Sequence, residues 1–193
     1  MTDTDPSPSA RPERRFGWWD MFVSPEDDPR GEGGFVGERE TLVGYLRDQR
    51  LTLEMKCAGL DAEALARRSV PPSDLSLLGL VRHMARVEHM WFHGVMAGDG
   101  TPPPYRTADR PDLDFGGAVP DPDVVAESFA TWRAEVAFAE RLVAGAADFD
   151  VTGTHDGQPI QLREVVVHMI EEYARHNGHA DFLRERIDGR IGQ

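Results

Sequence analysis

One cysteine, Cys57, is all that the 193 residues contain. An internal disulfide and any cysteine-based metal cluster are thereby excluded, and a reducing, cytoplasmic address is expected. Basic residues are in deficit: 21 Lys and Arg stand against 34 Asp and Glu, a formal net charge of −13. Such a chain repels nucleic acid and anionic membrane surfaces, which argues against a phosphate-backbone partner. No apolar run approaches the length of a membrane-spanning helix. The N-terminal "MTDTDPSPSARPERRFGWWDMF" has no apolar signal core. What remains is a length suited to one domain with one sizeable core.

Residues 1–15 are polar and rich in Pro, Ser and Asp, and are expected to be disordered. Residues 16–37 form an aromatic arm, "RFGWWDMFVSPEDDPRGEGG" at its centre. Trp18 and Trp19 are costly to leave in water, so the arm is expected to lie across the domain or a partner subunit. From about Glu38 a helical period begins, and 38–190 is expected to form the helical bundle. The first helix carries Leu42, Tyr45, Leu46, Gln49, Leu53, Cys57 and Leu60 along one stripe. Pro71 and Pro72 close the connection, and a second helix starts with Ser73 as its expected N-cap. Its apolar arc is Leu77, Leu80, Met84, Val87, Met90 and Trp91. Residues 98–120 are rich in Gly, Pro and Asp and show no period. Asp121 and Pro122 open a third helix whose stripe is Val125, Phe129, Trp132, Val136, Ala139 and Val143. A short hairpin is expected around Asp156-Gly157, before a fourth helix over 165–187. The fold expected is all-α: a four-helix bundle with a long crossover connection between helices 2 and 3, the short connections making antiparallel pairs of helices 1–2 and 3–4.

Polar residues interrupt the apolar faces. On the fourth helix, Glu172 and His176 fall inside the arc of Val165, Met169, Tyr173, Ala180, Leu183 and Ile187, with His168 and His179 at its edge. On the second, His83 lies between Leu80 and Val87, while His89 and His93 fall on the side of Arg82 and Arg86, a face expected to be solvated. A carboxylate turned toward a core needs a partner. An i, i+4 pair presents two donors from adjacent turns, and a third from a facing helix completes a three-point metal site. His83, Glu172 and His176 are therefore the candidate metal ligands. Two imidazoles and a carboxylate with an open position suit zinc best, while iron, nickel and manganese accept the same donors. The alternative is structural: His83 as a hydrogen-bonded core residue, and Glu172 paired with Arg50, Arg82 or Arg175. Gly178, inside the helix, suggests close approach of a neighbouring helix or a ligand beside His176.

The stretches "LLGLVRHMARVEHMWF" and "HMIEEYARHNGHADFLRE", with "ERETLVGYLRDQR" and "GLDAEALARRSVPPSDLSLLGLVRH", resemble the DinB-like four-helix bundles over about residues 35–190. They are most similar to an actinobacterial branch of unassigned function, related to the mycothiol-dependent maleylpyruvate isomerases. The resemblance implies a three-ligand site, commonly three histidines, one on the second helix and two at i, i+4 on the last. These map to His83, Glu172 and His176, with a glutamate where the common form has its middle histidine. The related isomerases use a His, Glu, His set. It further implies a metal-dependent enzyme that activates a low-molecular-weight thiol such as mycothiol for transfer to, or isomerisation of, an electrophilic substrate. His179 or His89 would stand behind the ligands, and the bundle is expected to form a homodimer. A non-catalytic metal- or ligand-binding bundle, or a structural dimeric bundle without metal, are the other classes the residues allow.

Overall fold

The computed structural model describes residues 22–24, 26–31 and 33–192. The tail 1–15 and the Trp18/Trp19 part of the arm lie outside the described residues. The elements are α1 Gly37–Cys57, a short α2 Ala62–Ala66, α3 Leu77–Glu88, a one-turn α4 Leu113–Gly116, α5 Pro122–Gly145, the hairpin β1 Thr152–His155 and β2 Gln158–Gln161, and α6 Leu162–Asp188. A π-helical extension, His89–Ala97, continues α3. The architecture is the expected all-α bundle of four long helices, with the long connection between the second and third. No helix among the described residues is long and apolar enough to cross a membrane.

Local chemistry sets the helix ends. Glu38 and Glu40 sit in the first turn of α1 and Lys56 in its last, each opposing the backbone dipole there. Asp121 accepts from the Asp123 N–H with Pro122 in the first turn of α5, as expected. The cap of α3 is Ser76 rather than Ser73: the Ser76 hydroxyl accepts from the Gly79 N–H at 3.1 Å. Ser73 instead accepts from Leu75 N–H inside the preceding turn. The hairpin pairs His155 with Gln158, and Asp156 and Gly157 both have positive φ, the conformation a two-residue turn demands. At Gly153 a Cβ would stand 2.3 Å from the Val95 carbonyl oxygen, so only glycine lets β1 lie against the π-helical extension.

Leu53, Leu77, Leu78, Leu80, Met84, Phe92, Leu162, Val165, Met169 and Tyr173 fill the core. The most extensive packing is α1 on α6 and α3 on α5, not the sequential pairs expected from short connections. The reason lies in α3, which is enclosed nearly all round: Leu77 to Val81, Met84, Ala85, Val87 and Glu88 are all buried. Two expected stripe members, Tyr45 and Met90, are instead exposed. Tyr45 stands edge-on to Phe35 at the surface.

One polar network ties the four long helices together. Glu88 on α3 is fully buried and takes a forked pair of hydrogen bonds from Arg50 on α1, Nε and Nη2 each 2.8 Å from a carboxylate oxygen. The Tyr173 hydroxyl on α6 donates to Glu88 at 2.7 Å and accepts from Trp132 Nε1 on α5 at 2.9 Å. Cys57 is buried at the end of α1, and burial pushes its thiol up to about 12. It is therefore expected to resist alkylation in the native protein at pH 8 and to react only after denaturation. Fast labelling of the folded chain, followed by mass spectrometry, would contradict this.

Candidate functional site

His83, Glu172 and His176 come together. Each offers one ligand atom, and the three atoms lie within 4.8 Å of one another. The imidazoles of His83 and His176 meet edge to face at 4.7 Å between centroids, and His176 Nε2 is 3.5 Å from Glu172 Oε2. His168 stands one turn before Glu172, its Nε2 3.6 Å from Oε1.

The connection 98–120 supplies a residue that sequence reasoning missed. Asp114 on α4 is buried, and its carboxylate lies 3.0 Å from His83 Nδ1 and 3.1 Å from Arg86 Nη2. Burial pushes the Asp114 carboxyl up, but the His83 hydrogen bond and the Arg86 charge outweigh it and hold the group below its ordinary value. An ionised carboxylate only accepts, so His83 Nδ1 is the donor, and in the neutral ring the lone pair is on Nε2. Arg82 fixes α4 by donating to the carbonyls of Leu113 and Asp114. The only signal for Asp114 in the sequence is an acid in an aperiodic stretch.

His176 is orientated on its other side by His179, Nδ1 to Nδ1 at 3.3 Å. Burial, then the neighbouring His83, His179 and Arg175, lower the His176 pKa to about 4. The ring is neutral at pH 7 and its lone pair is available to a cation. These observations fit a divalent ion: a carboxylate, two imidazoles, and polar partners behind both rings. All three candidate side chains keep some exposure, 12–21%.

Several expectations are corrected here. Glu172 sits at the rim of the helix interface, not in its interior, so desolvation alone does not demand a partner for it. Arg50 and Arg82, two of the three suggested structural partners of Glu172, are engaged by Glu88 and by α4 instead, while Arg175 is exposed near His176. A Cβ at Gly178 would meet nothing within 4 Å, so no neighbour requires glycine there. Gly178→Ala is therefore expected to raise stability by about 0.5–1 kcal/mol in urea unfolding; a loss would reveal a packing role.

His89 and His93 do not face solvent. His89 is buried, and both rings meet Glu135 of α5, because α5 and the start of the 98–120 connection cover this side of the helix. His89 thus belongs to a separate cluster rather than standing behind His83.

The family model described as mycothiol-S-transferase matches residues 41–189, a stretch containing every long helix nearly whole and all three converging side chains. No curated protein matches the chain. The chain belongs to the mycothiol-S-transferase family, within the DinB-like bundles.

Proposed function

We propose that this member of the mycothiol-S-transferase family joins the sulfur of a mycothiol-type thiol to an electrophilic small molecule, using a divalent ion held by His83, Glu172 and His176. The observation that carries the reading is the convergence of those three ligand atoms within 4.8 Å, inside the matched region. Zinc suits the donor set best; nickel, iron and manganese are outcomes that elemental analysis separates.

When bound, such an ion supplies an open coordination position and lowers the pKa of a thiol that occupies it, so that thiolate exists at neutral pH. The chain does the rest. Asp114 keeps the His83 proton on Nδ1 and its ring fixed. His179 holds the His176 ring in place from the far side. The Glu172 carboxylate balances positive charge, and His168 beside it is placed to take the proton that the thiol gives up. Phe115, stacked on His83 at 5.2 Å, closes one side against water. In the transfer a carbon–sulfur bond forms, the electrophile's leaving group or π electron pair departs from the attacked carbon, and the thiol proton passes by way of His168 to solvent. Cys57 is buried and takes no part.

The test is consumption of mycothiol in the presence of an electrophilic dye. Enzyme-dependent consumption that stops on chelation and returns with zinc is expected. A rate equal to the uncatalysed reaction, from protein that nevertheless binds metal, would favour a binding protein without turnover.

A further inference from the structure

A second cluster of metal-ligating side chains lies on the other side of the α3 axis, at the start of the π-helical extension. His89, His93 and Glu135 each offer a ligand atom, all within 4.8 Å of one another. The hydrogen bonds around them decide which nitrogen carries each proton. His89 Nε2 is 2.9 Å from the Thr101 carbonyl oxygen. A carbonyl only accepts, so that nitrogen is the donor and Nδ1 of a neutral ring holds the lone pair. Nδ1 faces Glu135 Oε1 at 3.2 Å. By the same logic His93 donates from Nδ1 to the Asp99 carboxylate, leaving its Nε2 lone pair 3.5 Å from Glu135 Oε2. Glu135 Oε2 is buried and has no hydrogen-bond partner.

With both rings neutral, two imidazole lone pairs face two carboxylate oxygens, acceptor against acceptor on both sides. That arrangement calls for something positive between them, a second ring proton or a cation that all three side chains can share. Both rings are also anchored through their far nitrogens, one by a backbone carbonyl and one by a carboxylate, the support that metal-bound histidines generally have. The rings stack at 4.6 Å, and Phe138 covers His93. The loop that supplies the anchors is "GDGT": Gly98 and Gly100 have positive φ, which turns Asp99 and Thr101 back onto the helix.

We propose that His89, His93 and Glu135 form a second, structural site for a zinc-class divalent ion, which clasps the start of the 98–120 connection to α3 and α5. It is independent of the His83, Glu172, His176 reading, since the two sets share no residue and face different helices.

The full chain, stripped by a chelator, is titrated with Zn²⁺ alone. Glu172→Ala is expected to retain about one tightly held equivalent, and adding Glu135→Gln or His93→Asn to remove it. Absence of tight uptake in folded Glu172→Ala would overturn the proposal. So would uptake that survives Glu135→Gln, since the ion would then be adventitious. A second measurement holds if a variant fails to fold: in the unsubstituted chain, zinc is expected to slow acylation of His93 by diethylpyrocarbonate at least tenfold, read by mass spectrometry. An unchanged rate at His93 would contradict the site.

Discussion

His176→Ala is expected to lower the rate of thiol transfer by more than about 100-fold while the bundle stays folded. Removing a partner behind a metal-bound histidine typically costs about 10–100-fold in affinity or activity, and removing the ligand itself exceeds that. His176 is suited to the role because burial and the adjacent imidazoles keep it neutral down to about pH 4. Its lone pair is therefore not lost in the range where an ordinary histidine protonates. The fold does not rest on it, since the ring is at the edge of the α3–α6 contact. Asp114→Asn separates orientation from ligation. It keeps all three ligands but weakens the hold on His83, and a drop of about 10–100-fold, partly restored by excess zinc, is expected. Rates measured with mycothiol and one electrophile, at several zinc concentrations, check both. Activity of His176→Ala within a few-fold of the parent would remove that residue from the mechanism.

The largest loss of stability is expected from Glu88→Ala, about 3–5 kcal/mol. Glu88 is fully buried and accepts from Arg50 twice and from Tyr173 once. Its removal leaves the buried Arg50 guanidinium without its forked partner and the Tyr173 hydroxyl without an acceptor. Glu140, 3.8 Å from Arg50 and largely exposed, offers only a partial substitute. Replacing both members of the pair by apolar residues, Arg50→Met with Glu88→Leu, is expected to cost much less than Glu88→Ala. Urea unfolding of the three variants gives the comparison. A Glu88→Ala loss below about 1 kcal/mol would show that the network contributes little.

Helix positions were legible because amphipathic stripes report which face is buried. Val165, Met169, Tyr173, Ala180 and Leu183 are all buried, as their spacing requires. The i, i+4 step also brought Glu172 and His176 into view together, and His83 could be matched to them across the bundle. Depth was harder to read. A position on an arc says which way a side chain points and nothing about where the interface ends, so Glu172 looked central and lies at the rim. Glu88 carried the same signal more strongly, one turn after Met84 and three residues before Trp91, and its burial is complete. His89 reads as solvated in the sequence because the segment that covers it, 98–120, has no periodicity to reveal that it packs. Asp114 was hidden for the same reason. The π-helical extension leaves no pattern of its own in the sequence.

The central claim is that His83, Glu172 and His176 share one divalent ion. Elemental analysis of tag-free protein, alongside a Glu172→Ala/His176→Ala variant prepared identically, tests it most directly. The variant is expected to hold about one equivalent of metal per chain fewer than the parent, with unchanged circular dichroism. Equal metal content in the two proteins would contradict the account.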